Sequence, residues 1–76
     1  MELRRLSELV PGERGTLSRI DEAEGMLALM EMGCIVGEVI EVRQVAPLGD
    51  PMAVAAGGHV VALRREQADY MWVSPQ

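Results

Sequence analysis

Two five-residue runs, "MAVAA" (Met52 to Ala56) and "HVVAL" (His59 to Leu63), are separated by nothing but Gly57-Gly58. A chain written this way has little choice of fold at this point. Met52, Val54 and Ala56 alternate with Ala53 and Ala55 at the two-residue period of a strand, and a Gly-Gly connection tolerates the positive φ of a tight turn, so the runs must form an antiparallel hairpin. Just ahead lies "APLGDP". Pro47 and Pro51 fix φ and remove two backbone donors, Gly49 opens a conformation closed to other residues, and Asp50 can bond back to the local backbone as an Asx-turn. Pro47, Gly49, Asp50 and Pro51 therefore predict a stiff structural loop, with Pro51 opening the next strand where a missing N–H does least harm.

The remaining segments add strands and little helix. Pro11-Gly12 pre-sets a turn, and the strand expected after it, Gly15 to Ile20, breaks strict alternation because Leu17 and Ile20 differ in parity. That break predicts a bulge near Ser18 or Arg19. "DEAEGMLALMEMGCIVG" reads as a short helix with Asp21, Glu22 and Glu24 at its dipole-favoured start and Gly33 at its end. Glu38 to Val45 is the plainest strand, with Ile40 and Val42 on one face and Glu41 and Arg43 on the other. "RREQADYMWV" predicts one helical turn and a closing strand that turns Met71 and Val73 inward and Tyr70 and Trp72 outward. Together these predict a mainly β fold of about five short strands in a closed or partly closed barrel, with one inserted helix and a C-terminal helical turn. The expected core is Leu29, Met32, Ile40, Val42, Val54, Val61, Leu63, Ala68, Met71 and Val73.

Length and charge narrow the function. The 76 residues suffice for one domain, 1–76, and a core this thin leaves little room for an elaborate buried active site. A net charge of −5, with every basic residue an arginine, argues against nucleic acid as a partner; the pairs Arg4/Arg5 and Arg64/Arg65 read as solvated surface. No apolar run is long enough for membrane insertion and the N-terminus lacks a signal-peptide core, which predicts a cytoplasmic protein. The lone Cys34 fits a reducing compartment and reads as a small buried hydrophobe.

The chemistry-bearing residues are few. With one cysteine, one histidine and a few hydroxyls, the chain offers no nucleophile, base and orienting group in combination, so no enzyme is expected. His59 has no second histidine or cysteine at ligand spacing, and the six methionines suit core gaps better than Fe²⁺, so neither a metal site nor a cofactor is predicted. "GGHVVALRR" lacks the lysine of a phosphate-binding loop. Proline-motif recognition would need more aromatics than Tyr70 and Trp72.

Taken in order, "LSELVPGERGTLSRI", "LALMEMGCIVGEVIEV", "APLGDPMAV" and "VALRREQADYMWV" resemble the FeoA family, small accessory proteins of bacterial ferrous iron uptake. The resemblance runs from about Leu6 to Val73. It implies an SH3-like barrel with a helix after the first strand, and a cytosolic role beside an FeoB-type, GTP-gated membrane permease as its partner. A similar domain ends the metal-dependent repressors, so a free-standing metal-responsive or regulatory module is the alternative. Where the family's helix carries arginines ahead of its "L..MG" pattern, this chain has Leu27 and Ala28, which implies a more hydrophobic contact surface.

A contact surface also follows from surplus apolar side chains. Leu27 and Met30 lie away from the Leu29 stripe, Trp72 lies opposite Met71 and Val73, and Leu48 stands at the tip of the stiff loop. One small core cannot bury them all. Leu27, Met30, Leu48 and Trp72 are accordingly the expected partner-binding residues, for the permease or for a homo-oligomer.

Overall fold

A computed structural model describes residues 2–21 and 25–76. The chain runs β1 (Arg4–Arg5), a 3₁₀ turn (Leu6–Glu8), β2 (Arg14–Ile20), α1 (Met26–Glu31), β3 (Val39–Val45), β4 (Met52–Ala56), β5 (His59–Leu63), α2 (Arg65–Ala68) and β6 (Met71–Pro75). All neighbouring strands are antiparallel, in the order β1-β6-β2-β3-β4-β5. The sheet is thus open between β1 and β5, and has six strands where turn signals predict about five. The added strand is β1, a two-residue piece with no alternation of its own. It exists because Arg4 and Arg5 pair with Val73 and Trp72 of β6.

The hairpin forms as its sequence demands, Met52 opposite Leu63 and Ala56 opposite His59 across the Gly57-Gly58 turn. Both glycines have positive φ, +59° and +83°, the mirror-image geometry whose twist matches the strands it joins. In β2 the register against β6 slips between Leu17 and Arg19, so the broken alternation is a bulge that lets Leu17 and Ile20 both turn inward.

The helix starts later than the acidic cluster suggests. Its first residue is Met26, with Gly25 at the cap, and Asp21 lies ahead of it; Glu22 and Glu24 fall outside the described residues. Asp21 serves the sheet instead, accepting from Arg19 and Trp72. At the other end Gly33, at φ +101°, ends the helix and Cys34 folds under it with its N–H donating to Leu29 O at 3.0 Å. Cys34 is fully buried, which pushes its thiol pKa up by desolvation.

The core joins both faces of this layout. Ile40, Val42, Val54, Leu63, Ala68, Met71 and Val73 are buried as the alternation predicts, with Leu29 beneath α1. Two expected members, Met32 and Val61, are only partly covered. Met32 caps the end of a six-residue helix, so Cys34 takes the inward place; Val61 is on the edge strand β5, with no strand beyond it. In their stead Leu6 and Leu9 are buried on either end of the 3₁₀ turn, and Leu17, Ile20, Met52 and Ala56 complete the interior.

The "APLGDP" loop is tied to α2. Gly49 has φ +86°, and Ala46 O accepts from the Gly49 N–H at 2.7 Å. Asp50 does not close a turn on its own loop. Its Oδ1 accepts the N–H of Arg65 at 3.1 Å, satisfying one of the free donors at the start of α2, while Gln67 Oε1 takes that of Arg64 at 2.9 Å. The Asp50-Pro51 peptide is cis.

Candidate partner surface

The α1 sequence sorts its side chains by a short helical period. Leu29 is buried and Met26 packs against the core, while Leu27 and Met30, three residues apart, point outward at 69% and 42% exposure. The chain then turns tightly between Gly33 and Gly37. Ile35 N–H donates to Gly33 O and Glu38 N–H to Ile35 O, both at 3.0 Å, while Gly37 N–H reaches Leu17 O of β2 at 2.8 Å. A turn this tight, pinned on one side to β2, leaves no route inward for Ile35 or Val36, and both are exposed. Val39, the first residue of β3, is on the outer face because Ile40 and Val42 take the inner one. Leu27, Met30, Ile35, Val36 and Val39 thus lie on one helix-turn-strand segment.

Sequence reasoning missed the last three of these. A signal was present, since the glycines at 33 and 37 bracket "CIV" in a turn where Cys34 alone has room to point in.

The structure places the other two expected contact residues elsewhere. Leu48 is 92% exposed at the loop tip. That loop meets β4 at Met52, whereas the end of α1 lies near Ala56, whose carbonyl oxygen would be 3.2 Å from a Cβ on Gly33. Four residue steps of strand, about 13 Å, separate the two ends. Trp72 is half-buried and engaged internally. Its indole Nε1–H donates to Asp21 Oδ2 at 2.5 Å, and Arg19 Nε donates to Asp21 Oδ1 at 2.8 Å. On the two neighbouring strands Arg5 and Arg19 pair with Trp72, their guanidinium carbons 4.8 and 5.0 Å from the ring centre. Two cations on one electron-rich ring, with the Asp21 carboxylate shared between Arg19 and the indole N–H, make Trp72 a fixed part of the sheet's outer face. Asp21 is held in turn by its own N–H, which donates to Tyr70 O at 2.7 Å.

Between α1 and α2 lies a cleft of about 270 Å³, with Met26 and Leu29 on its floor and Asp21, Glu66, Gln67 and Tyr70 around it. Among the described residues no three His, Cys, Asp or Glu side chains gather where they could hold one metal ion. His59 is exposed beside the hairpin turn. No helix of the described residues is long and apolar enough to cross a membrane.

A small antiparallel sheet, open at one seam, with one helix after its first long strand and a helical turn before its last, defines a protein of the SH3-like class. The solved FeoA of Stenotrophomonas maltophilia, complexed with zinc and called a prokaryotic SH3 domain protein, has this fold; it is 28% identical, covers 91% of this chain and 87% of its own, and superposes with a TM-score of 0.74. The FeoA domain profile matches residues 4–75, and the chain belongs to the FeoA domain family. It is also similar to a crystal structure of an iron uptake regulatory protein (FeoA), 26% identical over 99% of this chain and all of that one, with a TM-score of 0.90. A curated relative from Porphyromonas gingivalis, an Fe(2+) transport protein A/Fe(2+) transporter FeoB fusion protein, is 41% identical over 66 residues. The match takes in 84% of this chain and spans only 8% of that much longer relative. Manganese-dependent transcriptional repressors contain the same fold, with a TM-score of 0.90 at 23% identity.

Proposed function

We propose that this chain is a cytoplasmic accessory protein of ferrous iron uptake that works by binding an FeoB-type permease, and that it carries no catalytic activity of its own. The observation that supports this most directly is the fused relative, in which a domain 41% identical to this one is covalently part of an Fe(2+) transporter. Joining two modules in one chain raises their effective concentration to about the millimolar range, a device that serves domains working on each other. The surface agrees with a binding role. Among the described residues no three metal-ligating side chains gather in one place, whereas five of the nine exposed large apolar side chains are on one segment. The test is uptake of radioactive Fe²⁺ by cells deleted for this chain, with the permease gene left intact. Loss of uptake, restored by the chain supplied in trans, is expected; unchanged uptake would overturn the reading. Equilibrium dialysis of the isolated chain with Fe²⁺ and Mn²⁺ addresses the metal-responsive alternative, which stoichiometric micromolar binding would favour.

A further inference from the structure

Resting on that accessory reading, we infer that the chain meets its permease partner through the face made by Leu27 and Met30 of α1 with Ile35, Val36 and Val39, and that the partner segment seated there is apolar and bracketed by lysine or arginine. The apolar half of the argument is the concentration of five exposed large side chains within thirteen residues, on a segment braced from beneath by Leu29 and Cys34. Single exposed apolar residues are ordinary, but a run of them on a backbone fixed by hydrogen bonds to β2 is a formed surface that needs no reorganisation before contact.

The other half is charge. From Gly25 to Val39 the chain has two charged residues, Glu31 and Glu38, and no arginine. Both glutamates are exposed, and neither forms an ion pair among the described residues. Beside this segment, the neighbouring strand β2 sets Thr16 opposite Val39 and Arg14 opposite Glu41. Glu31 and Glu38 are thus unpaired carboxylates within this apolar segment, and they favour a partner that brings cations to them. They also select against a second copy of this chain. A two-fold dimer through this face would gather Glu31 and Glu38 of both copies around one small contact, adding like-charge repulsion to a chain that already carries a net charge of −5. The patch is small, and an interface of this size is weak when its partners are free; covalent joining, as in the fused relative, is one way to offset that.

The experiment measures binding of the full chain to the detergent-solubilised, full-length FeoB-type permease from the same source, with self-association followed by analytical ultracentrifugation. Two double variants are compared, Leu27→Glu with Val36→Glu and Glu31→Arg with Glu38→Arg. All four positions are exposed, so melting temperatures should stay near that of the parent. Both variants are expected to bind at least tenfold more weakly, and parent binding should weaken as salt is raised. Parent binding with both variants undiminished would overturn the inference while leaving the accessory reading in place. No binding by the parent would remove the accessory reading, and this inference with it. Parent self-association abolished by the variants would show a second copy as the occupant and overturn it too. Should the apolar double variant fail to fold, the charge-reversed one decides alone.

Discussion

Replacing Gly15 by alanine adds one methyl group to β2, and the structure gives that methyl nowhere to go. Gly15 is buried, paired with Ile40 of β3 on one side and with Pro75 of β6 on the other. A Cβ built there would be 2.7 Å from the carbonyl oxygen of Ser74, 3.1 Å from its carbon and 3.2 Å from Cα of Pro75. All three atoms are backbone, so no side chain can swing aside; β6 must move away from β2. Overpacking of this kind costs about 1 to 3 kcal/mol, against which the stiffer unfolded chain returns about 0.4 to 1 kcal/mol. Taking the middle of each range, about 2 less about 0.7, the net loss is about 1.3 kcal/mol, which for a domain of this size lowers the melting temperature by about 5 to 10 °C at 4 to 8 °C per kcal/mol. Thermal unfolding followed by circular dichroism measures it directly. An alanine variant that melts at the parent temperature or above would refute the reasoning, because it would mean that β6 yields at no cost.

Leu63→Ala should lose about 2 to 5 kcal/mol, since a fully buried side chain opposite Met52 leaves a cavity the thin core cannot close; urea unfolding that keeps its parent midpoint would contradict this. Gly49→Val should lose about 1 to 3 kcal/mol. Its Cβ meets only the movable guanidinium of Arg65, so the strain of φ +86° on a β-branched residue sets the cost, and an unchanged melting temperature would show the loop relaxing freely. Cys34, with its thiol pKa raised by burial, should resist alkylation by iodoacetamide in the folded protein and react on unfolding. The same shift makes a contribution to stability that is full below the unfolded cysteine pKa and is lost as pH rises through the folded one, so chemical denaturation midpoints should fall on the alkaline side; a midpoint flat across that range would contradict it. Trp72→Phe keeps the ring between Arg5 and Arg19 but removes the N–H donor to Asp21, and should cost about 0.5 to 2 kcal/mol; a variant as stable as the parent in urea would show that bond to be dispensable.

What could be read from the sequence was whatever depends on neighbours in the chain. The Gly57-Gly58 hairpin, the bulge behind the mismatched parity of Leu17 and Ile20, the αL end of α1 at Gly33 and the turn of α2 are all local, and each appears where its residues put it. Pairings across the whole chain left no local trace. Arg4 and Arg5 look like solvated charge until β6 arrives beside them, and Leu6 and Leu9 look too sparse for a core until the 3₁₀ turn folds them under it. Asp21 reads as a helix-start carboxylate because proximity in sequence favours α1, yet its actual partners, Arg19 and Trp72, belong to the sheet. On the proposed contact surface, Leu27 and Met30 were visible from helical spacing. Ile35 and Val36 were not, because whether an apolar residue in a turn is buried depends on what the turn is pinned to, here Leu17 of β2.

The sixth strand in chain order is an interior one in the sheet. β6 lies between β1 and β2, so neither has its full set of neighbours until residues 71–75 exist. A nascent chain leaving the ribosome can assemble β2, β3, β4 and β5 in order, but Arg4 and Arg5 must wait for Val73 and Trp72 to appear. Until then Leu17 and Ile20 lack the cover of Met71 and Val73, and one side of β2 is left as a raw edge. Folding of the whole therefore waits for residues 71–75, and a chain cut before Met71 would be a four-stranded fragment with one side of β2 left unpaired.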